Sequence, residues 1–297
     1  MDGAAFDSKT VLLVLLGVVG AAFTVFWIAM LARARKRGER IAPSPYELVV
    51  GAITDFFDTL GIGSFATTTA LYRFRGTIDD RLLPGTLNVG HTLPTIAQAF
   101  IYTTIIKVEM ATLWSMIAAA VAGALLGAPI VARWPRRNIQ LGLGCALLVL
   151  CAVLVYRLLW NEPTTGTIGL SGGMFALGVV GNFVLGALMT IGVGLYGPCL
   201  VMVSMLGMNP QTGFPIMMGS CAFLMPSASV SFIRQQSYSP RAALGLTLAG
   251  VPAVFVAAHW FESLDLVRVK WIVAVVVLYT AVTLLVAARR ESKKPAA

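Results

Sequence analysis

Long, unbroken apolar runs dominate this sequence. The first extends from Val11 to Leu31, reads VLLVLLGVVGAAFTVFWIAML and contains no charged residue. A run of about 20 apolar residues is long enough to cross the hydrocarbon core of a bilayer as a helix. Apolar and polar residues do not alternate within these runs, which excludes the strand pattern of outer-membrane barrels. The sequence therefore predicts an all-α polytopic membrane protein.

Composition excludes the other broad classes of protein. Of the 297 residues, 58% are hydrophobic and 12% are charged, whereas soluble domains carry about 25% charged residues. Disordered chains show the opposite balance. The net charge of +9 comes mainly from basic loops between apolar runs, so it reports membrane orientation and not a nucleic-acid partner. The four cysteines lie inside apolar runs without a C-x-x-C pair, so neither a metal nor a cofactor is expected.

Seven apolar runs are predicted to cross the membrane completely. They cover residues 10–32, 86–106, 111–132, 138–159, 212–233, 241–260 and 268–288. Two further stretches, 46–72 and 173–206, are interrupted by glycine and are predicted to be re-entrant. The first run is too long for the core of a signal peptide and lacks a small-x-small cleavage site, so it is predicted to be retained.

The distribution of lysine and arginine favours this arrangement, because these residues accumulate in cytoplasmic loops. If both broken stretches enter and leave on the same side, 17 of the 22 basic residues face the cytoplasm. If both crossed completely, the basic loop RWPRRN at 133–138 would face outside. The N-terminus is therefore predicted to lie outside, and the C-terminus in the cytoplasm, of a bacterial-type inner membrane.

The two broken stretches begin two similar parts of the chain. Residues Leu60–Phe65 read LGIGSF and Ile191–Tyr196 read IGVGLY. Downstream, Asn88–His91 lies opposite Met217–Ser220 when the two parts are aligned. Each part contains one re-entrant segment and three crossings, and because three is odd the second copy must be inverted. Inverted repeats with broken helices are the architecture of many secondary transporters, which bind substrate near the midplane.

The predicted organisation has four parts within one integral membrane domain. Residues 1–45 form an unpaired transmembrane helix with a basic cytoplasmic linker, 46–157 form repeat A, 173–288 form repeat B, and 289–297 form a basic cytoplasmic tail. The oligomeric state is left open between a monomer and a homodimer.

The motif GAITDFFDTLGIGSFATTT, its echo GALMTIGVGLYGPCLVMVSML and the following Gly90-His91 element resemble the TauE/SafE (toluene sulfonate uptake permease) family. The resemblance extends from Glu47 to Ala288. It implies transport of small sulfur-containing or carboxylate anions, such as sulfite and organosulfonates. The commoner family form has three consecutive glycines at the break, whereas Ser64 and Leu195 stand where the third glycine would be.

The glycine breaks also predict an anion site. Glycine adopts backbone angles that other residues avoid, and the half-helix after a break begins with amides that lack intrahelical partners. These amides and the positive end of the helix dipole attract an anion without a basic side chain. The substrate-binding candidates are Gly61, Gly63, Ser64 and Thr67 at the first break, Gly192, Gly194, Tyr196, Gly197, Pro198 and Cys199 at the second, and Asn88, His91, Gln98 and Ser220 downstream.

Three ionisable residues within apolar sequence complete the candidate site. Asp55 and Asp58 are three residues apart and so share a helix face, where an uncompensated charge is costly. An acid beside an anion site becomes favourable when it is protonated together with the substrate. Asp58, Asp55 and His91 are therefore candidates for proton or ion coupling. Asn88, His91 and Gln98 are spaced to lie roughly along one helix face, and Thr68 and Asn182 are weaker candidates.

The sequence predicts a transporter and not an enzyme, because it contains neither an H-E-x-x-H helix nor a Walker A loop. The leading hypothesis is a secondary transporter for a sulfur oxyanion or organosulfonate that works by alternating access, with proton coupling as a further hypothesis. A passive anion channel and a carboxylate transporter are alternatives on the same scaffold, and an intramembrane enzyme is a remote one. The expected partners are a small anion and the lipid bilayer.

Overall fold

A computed structural model describes residues 7–127, 136–159, 166–190, 194–263 and 266–291. Within these ranges the regular structure is helical, with one isolated β-bridge between Thr167 and Met208. A π-helical turn continues α5, and a short 3₁₀ turn precedes α9. The helices are α1 (Ser8–Lys36), α2 (Pro45–Thr59), α3 (Ser64–Arg75), α4 (Leu83–Ile105), α5 (Met110–Ala122), α6 (Arg136–Leu159), α7 (Gly172–Thr190), α8 (Tyr196–Met205), α9 (Gly213–Arg234), α10 (Pro240–Glu262) and α11 (Leu266–Glu291).

Among the described residues, five helices are long and apolar enough to cross a membrane, namely α1, α7, α9, α10 and α11. The chain is therefore a membrane-embedded, all-α protein, as the apolar runs predict. Helices also occupy the predicted spans 86–106, 111–132 and 138–159 within the described ranges. Residues 128–132 lie outside those ranges. α7 has spanning length although it belongs to a stretch predicted to be re-entrant. The number of complete crossings stays a prediction.

α2 and α3 form an antiparallel helical hairpin. The Tyr46 hydroxyl at the start of α2 donates to the Leu71 carbonyl near the end of α3, at 2.6 Å, and the Tyr46 ring packs edge-on against Tyr72. Arg75 lies over the same ring, with its guanidinium carbon 4.6 Å from the ring centroid. Because the far ends of the two helices meet, the chain reverses at residues 60–63, where the sequence predicts the first break.

The second broken stretch also folds back on itself. Thr167, before α7, pairs with Met208, after α8, in the isolated β-bridge. Gly181 in the middle of α7 lies against Met202 of α8, which is the register of two antiparallel helices. Residues 191–193 between them are outside the described ranges. Both predicted breaks therefore separate helices that run in opposite directions.

The chain divides into two compact units, and each unit contains helices from both predicted repeats. The first unit holds Met1–Ile105 and Cys221–Glu262, and the second holds Ile106–Ser220 and Ser263–Ala297. In the first unit α10 packs along α2 and α4. In the second unit α5 packs along α7, and α6 packs along α11. The first unit thus contains α10 of predicted repeat B, and the second unit contains α5 of predicted repeat A.

Glycine allows the close approach of α10 to its neighbours in the first unit. A Cβ atom at Gly51 of α2 would lie 2.7 Å from the Leu246 Cα of α10, and one at Gly90 of α4 would lie 2.7 Å from Leu246 Cδ1. A Cβ at Gly245 of α10 would lie 2.6 Å from the Glu47 Cβ. Small residues at such contacts are typical of membrane helices, whose association depends on close van der Waals packing.

The second unit uses glycine in the equivalent helix pair. Gly186 of α7 lies against the Ala120 backbone of α5, and Gly123 of the π turn lies against the Phe183 backbone of α7. The π turn widens the helix by one residue per turn, so it changes the face that α5 presents to α7. Close packing at glycine is therefore common to the α2–α10 and α5–α7 pairs.

We expect Gly51→Ala to destabilise the protein, because the added methyl group overlaps the α10 backbone and forces the helices apart. Overpacking of this kind costs about 1–3 kcal/mol. The matched control is Gly17→Ala in α1, where an added Cβ meets nothing within 4 Å and alanine favours the helix by up to about 1 kcal/mol. Thermal unfolding in detergent should show a lower melting temperature for Gly51→Ala only. Equal melting temperatures for the two variants would contradict the packing argument.

Candidate functional site

The first break is built from two glycines with left-handed backbone angles. Gly61 has φ +97° and Gly63 has φ +81°, which side chains rarely adopt. The Gly61 amide closes the end of α2 by donating to the Asp58 carbonyl at 2.8 Å. Gly63 is the N-cap of α3 and has no side chain to bond the first amides of that helix. The N-terminus of α3 therefore needs an acceptor from elsewhere.

Asp58 supplies that acceptor. Its Oδ1 accepts the backbone N–H of Ser64, the first residue of α3, at 2.5 Å. Both residues are buried, with relative exposures of 2% for Asp58 and 4% for Ser64. The carboxylate lies at the positive end of α3, where an anion is stabilised. The sequence predicts that a substrate anion binds these amides, and in the structure the chain's own carboxylate binds one of them.

A second helix approaches Asp58 from the other side. Gln98 of α4 donates through Nε2 to Asp58 Oδ2 at 3.0 Å and to the Thr59 hydroxyl at 3.0 Å. One turn further along α4, the Tyr102 hydroxyl donates to the Thr59 carbonyl at 2.7 Å. The two Asp58 oxygens thus accept from two different helices. α4 is thereby tied to the end of α2 at the break.

His91 connects the hairpin to α4 through a second set of contacts. Its Nδ1 lies 2.8 Å from Asp55 Oδ1, and its Nε2 lies 3.1 Å from the Thr68 hydroxyl of α3. Asp55, His91 and Thr68 are each 0% exposed. Asp55 fixes the tautomer, because a carboxylate accepts the Nδ1 proton. The threonine hydroxyl can then donate to Nε2 when the imidazole is neutral and accept from it when the imidazole is charged.

One oxygen of this cluster has no hydrogen-bond partner among the described residues. Asp55 Oδ2 is buried and unpaired, and it lies against Gly250 of α10, where an added Cβ would overlap it. A buried ionised oxygen without a donor is costly. Asp55 Oδ2 is therefore a position where a proton would remove charge without breaking the contact with His91.

Proline helps to fix α4 beside His91. Pro94 lies inside α4 and has no N–H, so the Gly90 carbonyl four residues earlier loses its intrahelical donor. The Thr247 hydroxyl of α10 donates to that carbonyl at 2.6 Å. The freed carbonyl is thus paired by a neighbouring helix, as membrane-embedded backbone requires. α10 therefore contacts α4 next to His91 and α2 at Asp55.

Six predicted residues meet at this first break, and two others do not. Asp55, Asp58, Ser64, Thr68, His91 and Gln98 form one buried set of contacts. Asn88 is partly exposed and its amide donates to the Pro84 carbonyl of its own helix at 2.9 Å. Thr67 donates to the Ser64 carbonyl at 2.8 Å. Both side chains follow the local bonding that polar residues commonly make in membrane helices.

The second break offers a different environment. Gly192 lies outside the described residues, and Gly194 is exposed. Tyr196, Gly197, Pro198 and Cys199 are buried in the first turn of α8, and Gly197 packs against the Thr280 side chain of α11. The Cys199 amide is already bonded to the Leu195 carbonyl at 2.9 Å. No described carboxylate accepts from this turn, in contrast to Asp58 at α3.

Ser220, which the repeat places opposite His91, lies in a neutral polar contact. Its hydroxyl donates to the Ile216 carbonyl at 2.7 Å and accepts from Asn182 Nδ2 of α7 at 3.1 Å. Asn182 also donates to the Met116 carbonyl of α5 at 2.7 Å. The second unit therefore joins equivalent helices through amide and hydroxyl groups, where the first unit uses a carboxylate and an imidazole.

Three participants in the first cluster were not predicted. Thr59 follows Asp55 by four residues and Tyr102 follows Gln98 by four, so helical spacing could have placed both beside the site. Gly250 is far from Asp55 in the chain, so its contact with Asp55 depends on tertiary packing. Within the described residues, no group of three or more His, Cys, Asp or Glu side chains is placed to hold a metal ion.

A single G-x-S-x-G match occurs at Gly169–Gly173, just before and into α7. In hydrolases this motif presents its serine on a sharp turn between a strand and a helix. Here the preceding described residues form an isolated bridge at Thr167 and no strand. The match therefore does not have the structural context of a nucleophile.

Comparison with known proteins gives no match to any family model, curated protein or solved structure.

We expect Asp58→Ala to destabilise the break more than Asp58→Asn. Alanine leaves the Ser64 N–H and one Gln98 N–H without acceptors in a buried site, at a cost of about 1–3 kcal/mol. Asparagine keeps one acceptor oxygen, and the Gln98 amide can turn to accept from its NH₂ group. Thermal unfolding of the two variants in detergent tests this difference. Equal melting temperatures would show that Asp58 does not hold the N-terminus of α3.

Proposed function

We propose that the chain is a proton-coupled secondary transporter of the TauE/SafE type, which carries a small sulfur oxyanion or organosulfonate by alternating access. The observation that carries the proposal is the buried cluster of Asp55, Asp58 and His91 at a helix break. Ionisable groups at this depth are costly, and in membrane proteins they mark ion and proton pathways. The motif resemblance supports the same class of substrate.

Charge counting supports coupling to protons. When both carboxylates are ionised and the imidazole is neutral, the three groups carry two negative charges. In the described part of the chain, His91 is the basic group that interacts electrostatically with both carboxylates. Two bound protons make the cluster neutral, and a third gives it one positive charge. A monoanion beside the cluster is therefore favoured when the neutral cluster has bound this third proton.

The hydrogen-bond pattern leaves two atoms that can accept that proton. Asp55 Oδ2 has no donor in the described part of the chain, so it can take a proton while Oδ1 keeps its contact with His91. His91 Nε2 can take a proton and donate to the Thr68 hydroxyl. In both cases every existing contact is kept, because a hydroxyl can act as donor or acceptor. The cluster can therefore change its charge without unfolding the break.

Asp58 links the proton to the anion. In its ionised form it accepts a hydrogen bond from the Ser64 amide at the N-terminus of α3. Amides at helix N-termini also bind oxyanions. A proton on Asp58 weakens this charge-assisted bond, because neutral acceptors bind N–H groups less strongly. The amide then becomes available to a sulfonate or sulfite oxygen. Protonation and anion binding thus favour one another, which is the property of a symporter.

We expect the purified protein in liposomes to accumulate methanesulfonate, sulfite or thiosulfate in response to a pH gradient that is acid outside. A gradient of one pH unit equals about 1.4 kcal/mol and supports about tenfold accumulation of a monoanion carried with one proton. Accumulation of a monoanion should not depend on membrane potential, because one proton and one monoanion together carry no charge. Saturable flux with counter-exchange would separate a carrier from a channel.

Asp55→Asn should abolish this accumulation and keep counter-exchange of the same anion. The variant cannot release a proton at residue 55, so the step that returns the empty site loses its coupling, whereas exchange does not need that step. The matched control is Glu47→Gln, because Glu47 is also a buried acid of α2 but is paired with Arg241 at 2.5 Å. Tenfold accumulation by Asp55→Asn, or its loss in Glu47→Gln as well, would contradict proton coupling at the cluster.

A further inference from the structure

A cavity of about 440 Å³ lies within the first unit where α1 and α9 end. Three of its lining residues are apolar, namely Phe26 and Met30 of α1 and Ile233 of α9. Basic and polar residues complete most of the lining. The lining residues are Phe26, Met30, Arg33, Arg37, Glu39, Ile233, Arg234, Gln236, Tyr238 and Pro240.

The charges around the cavity are not balanced. Arg37 forms an ion pair with Glu39 at 2.7 Å, but neither Arg33 nor Arg234 has an ion-pair partner among the described residues. The lining therefore carries two uncompensated positive charges from two different helices. Guanidinium groups bind phosphate oxygens through paired N–H donors. The cavity is thus charged to receive an anionic phosphate group.

The turn that follows α9 adds a polar side chain to the lining at a conformational cost. Gln236 has φ +55° and is the one non-glycine residue with positive φ among the described residues. Glycine takes this left-handed conformation at Gly38, Gly76 and Gly207, after α1, α3 and α8. A side chain there raises the free energy of the fold. The Gln236 side chain therefore lines the cavity at a position where glycine would be more stable.

We propose that this cavity binds the phosphate headgroup of an anionic phospholipid. It lies where the apolar part of α1 gives way to the basic run Arg33–Arg40, which is the level of the headgroups on the side predicted to be cytoplasmic. Clusters of basic residues at this level are typical of anionic lipid sites. Met30 and Phe26 lie about one and two turns deeper along α1 than Arg33, where an acyl chain of the same molecule would lie.

The apolar lining residues distinguish a lipid from a free phosphate ion. Both ligands would bind Arg33 and Arg234, but inorganic phosphate has no group that benefits from contact with Phe26, Met30 or Ile233. A phospholipid places its phosphate and its chain in one molecule and so can contact both the basic and the apolar lining residues. The proposal concerns α1, α9 and the turn after α9, and it does not depend on the proton-coupling cluster.

The test is a titration of the full-length protein in detergent with dihexanoyl phosphatidylglycerol, followed by thermal unfolding. Dihexanoyl phosphatidylcholine and inorganic phosphate are titrated in parallel. We expect phosphatidylglycerol alone to raise the melting temperature of the wild type. The double variant Arg33→Gln/Arg234→Gln should bind it about 25-fold more weakly, because each basic side chain beside an anionic lipid adds roughly a factor of five.

The matched control is the double variant Arg35→Gln/Arg289→Gln, which removes the same charge from exposed basic residues that do not line the cavity. It should retain the wild-type affinity. Equal weakening in both double variants would overturn the proposal in favour of general charge attraction. A response to inorganic phosphate equal to that of phosphatidylglycerol would overturn it in favour of a free anion.

Discussion

The structure depends on the need to pair backbone amides where a helix is broken in a low-dielectric environment. Two glycines with positive φ end α2 and begin α3, and neither can cap the new helix with a side chain. Asp58 meets this need by accepting the Ser64 amide. The solution places a carboxylate in a buried position, and that carboxylate in turn requires donors from Gln98 and compensation from His91. At this break the ionisable cluster thus also serves to cap the new helix.

The cluster also requires a rigid frame, which the close packing of α10 provides. Gly51 and Gly90 let α10 approach α2 and α4, while Gly250 leaves room for the Asp55 carboxylate. Thr247 bonds the carbonyl that Pro94 leaves without a donor, one residue before His91. Each of these contacts lies within a single compact unit. A change of charge at Asp55 or His91 therefore acts on α2, α4 and α10 together, which is how a bound proton could favour one arrangement of helices over another.

The sequence identified much of this site because ionisable side chains are rare in apolar runs. Asp55, Asp58, His91 and Gln98 stand out for this reason, and helical spacing correctly brought His91 and Gln98 to one face. Asn88, which was predicted on the same face, instead bonds its amide to the carbonyl four residues earlier. Helical spacing could not show that Asp58 occupies the α3 terminus or that Gly250 faces Asp55. Those facts depend on the reversal at residues 60–63 and on contacts between helices far apart in the chain.

The two predicted repeats differ in chemistry at places that the sequence alignment makes equivalent. On the α4 helix His91 bonds Asp55, whereas on the equivalent α9 helix Ser220 bonds Asn182. Amide and hydroxyl groups keep their charge over the physiological pH range, while a carboxylate–imidazole pair can gain or lose a proton. Both contacts can hold a broken helix against its neighbour, so structure alone does not require ionisable groups. Among the described residues these ionisable groups occur at one of the two equivalent places, a difference that the proposed proton coupling would explain.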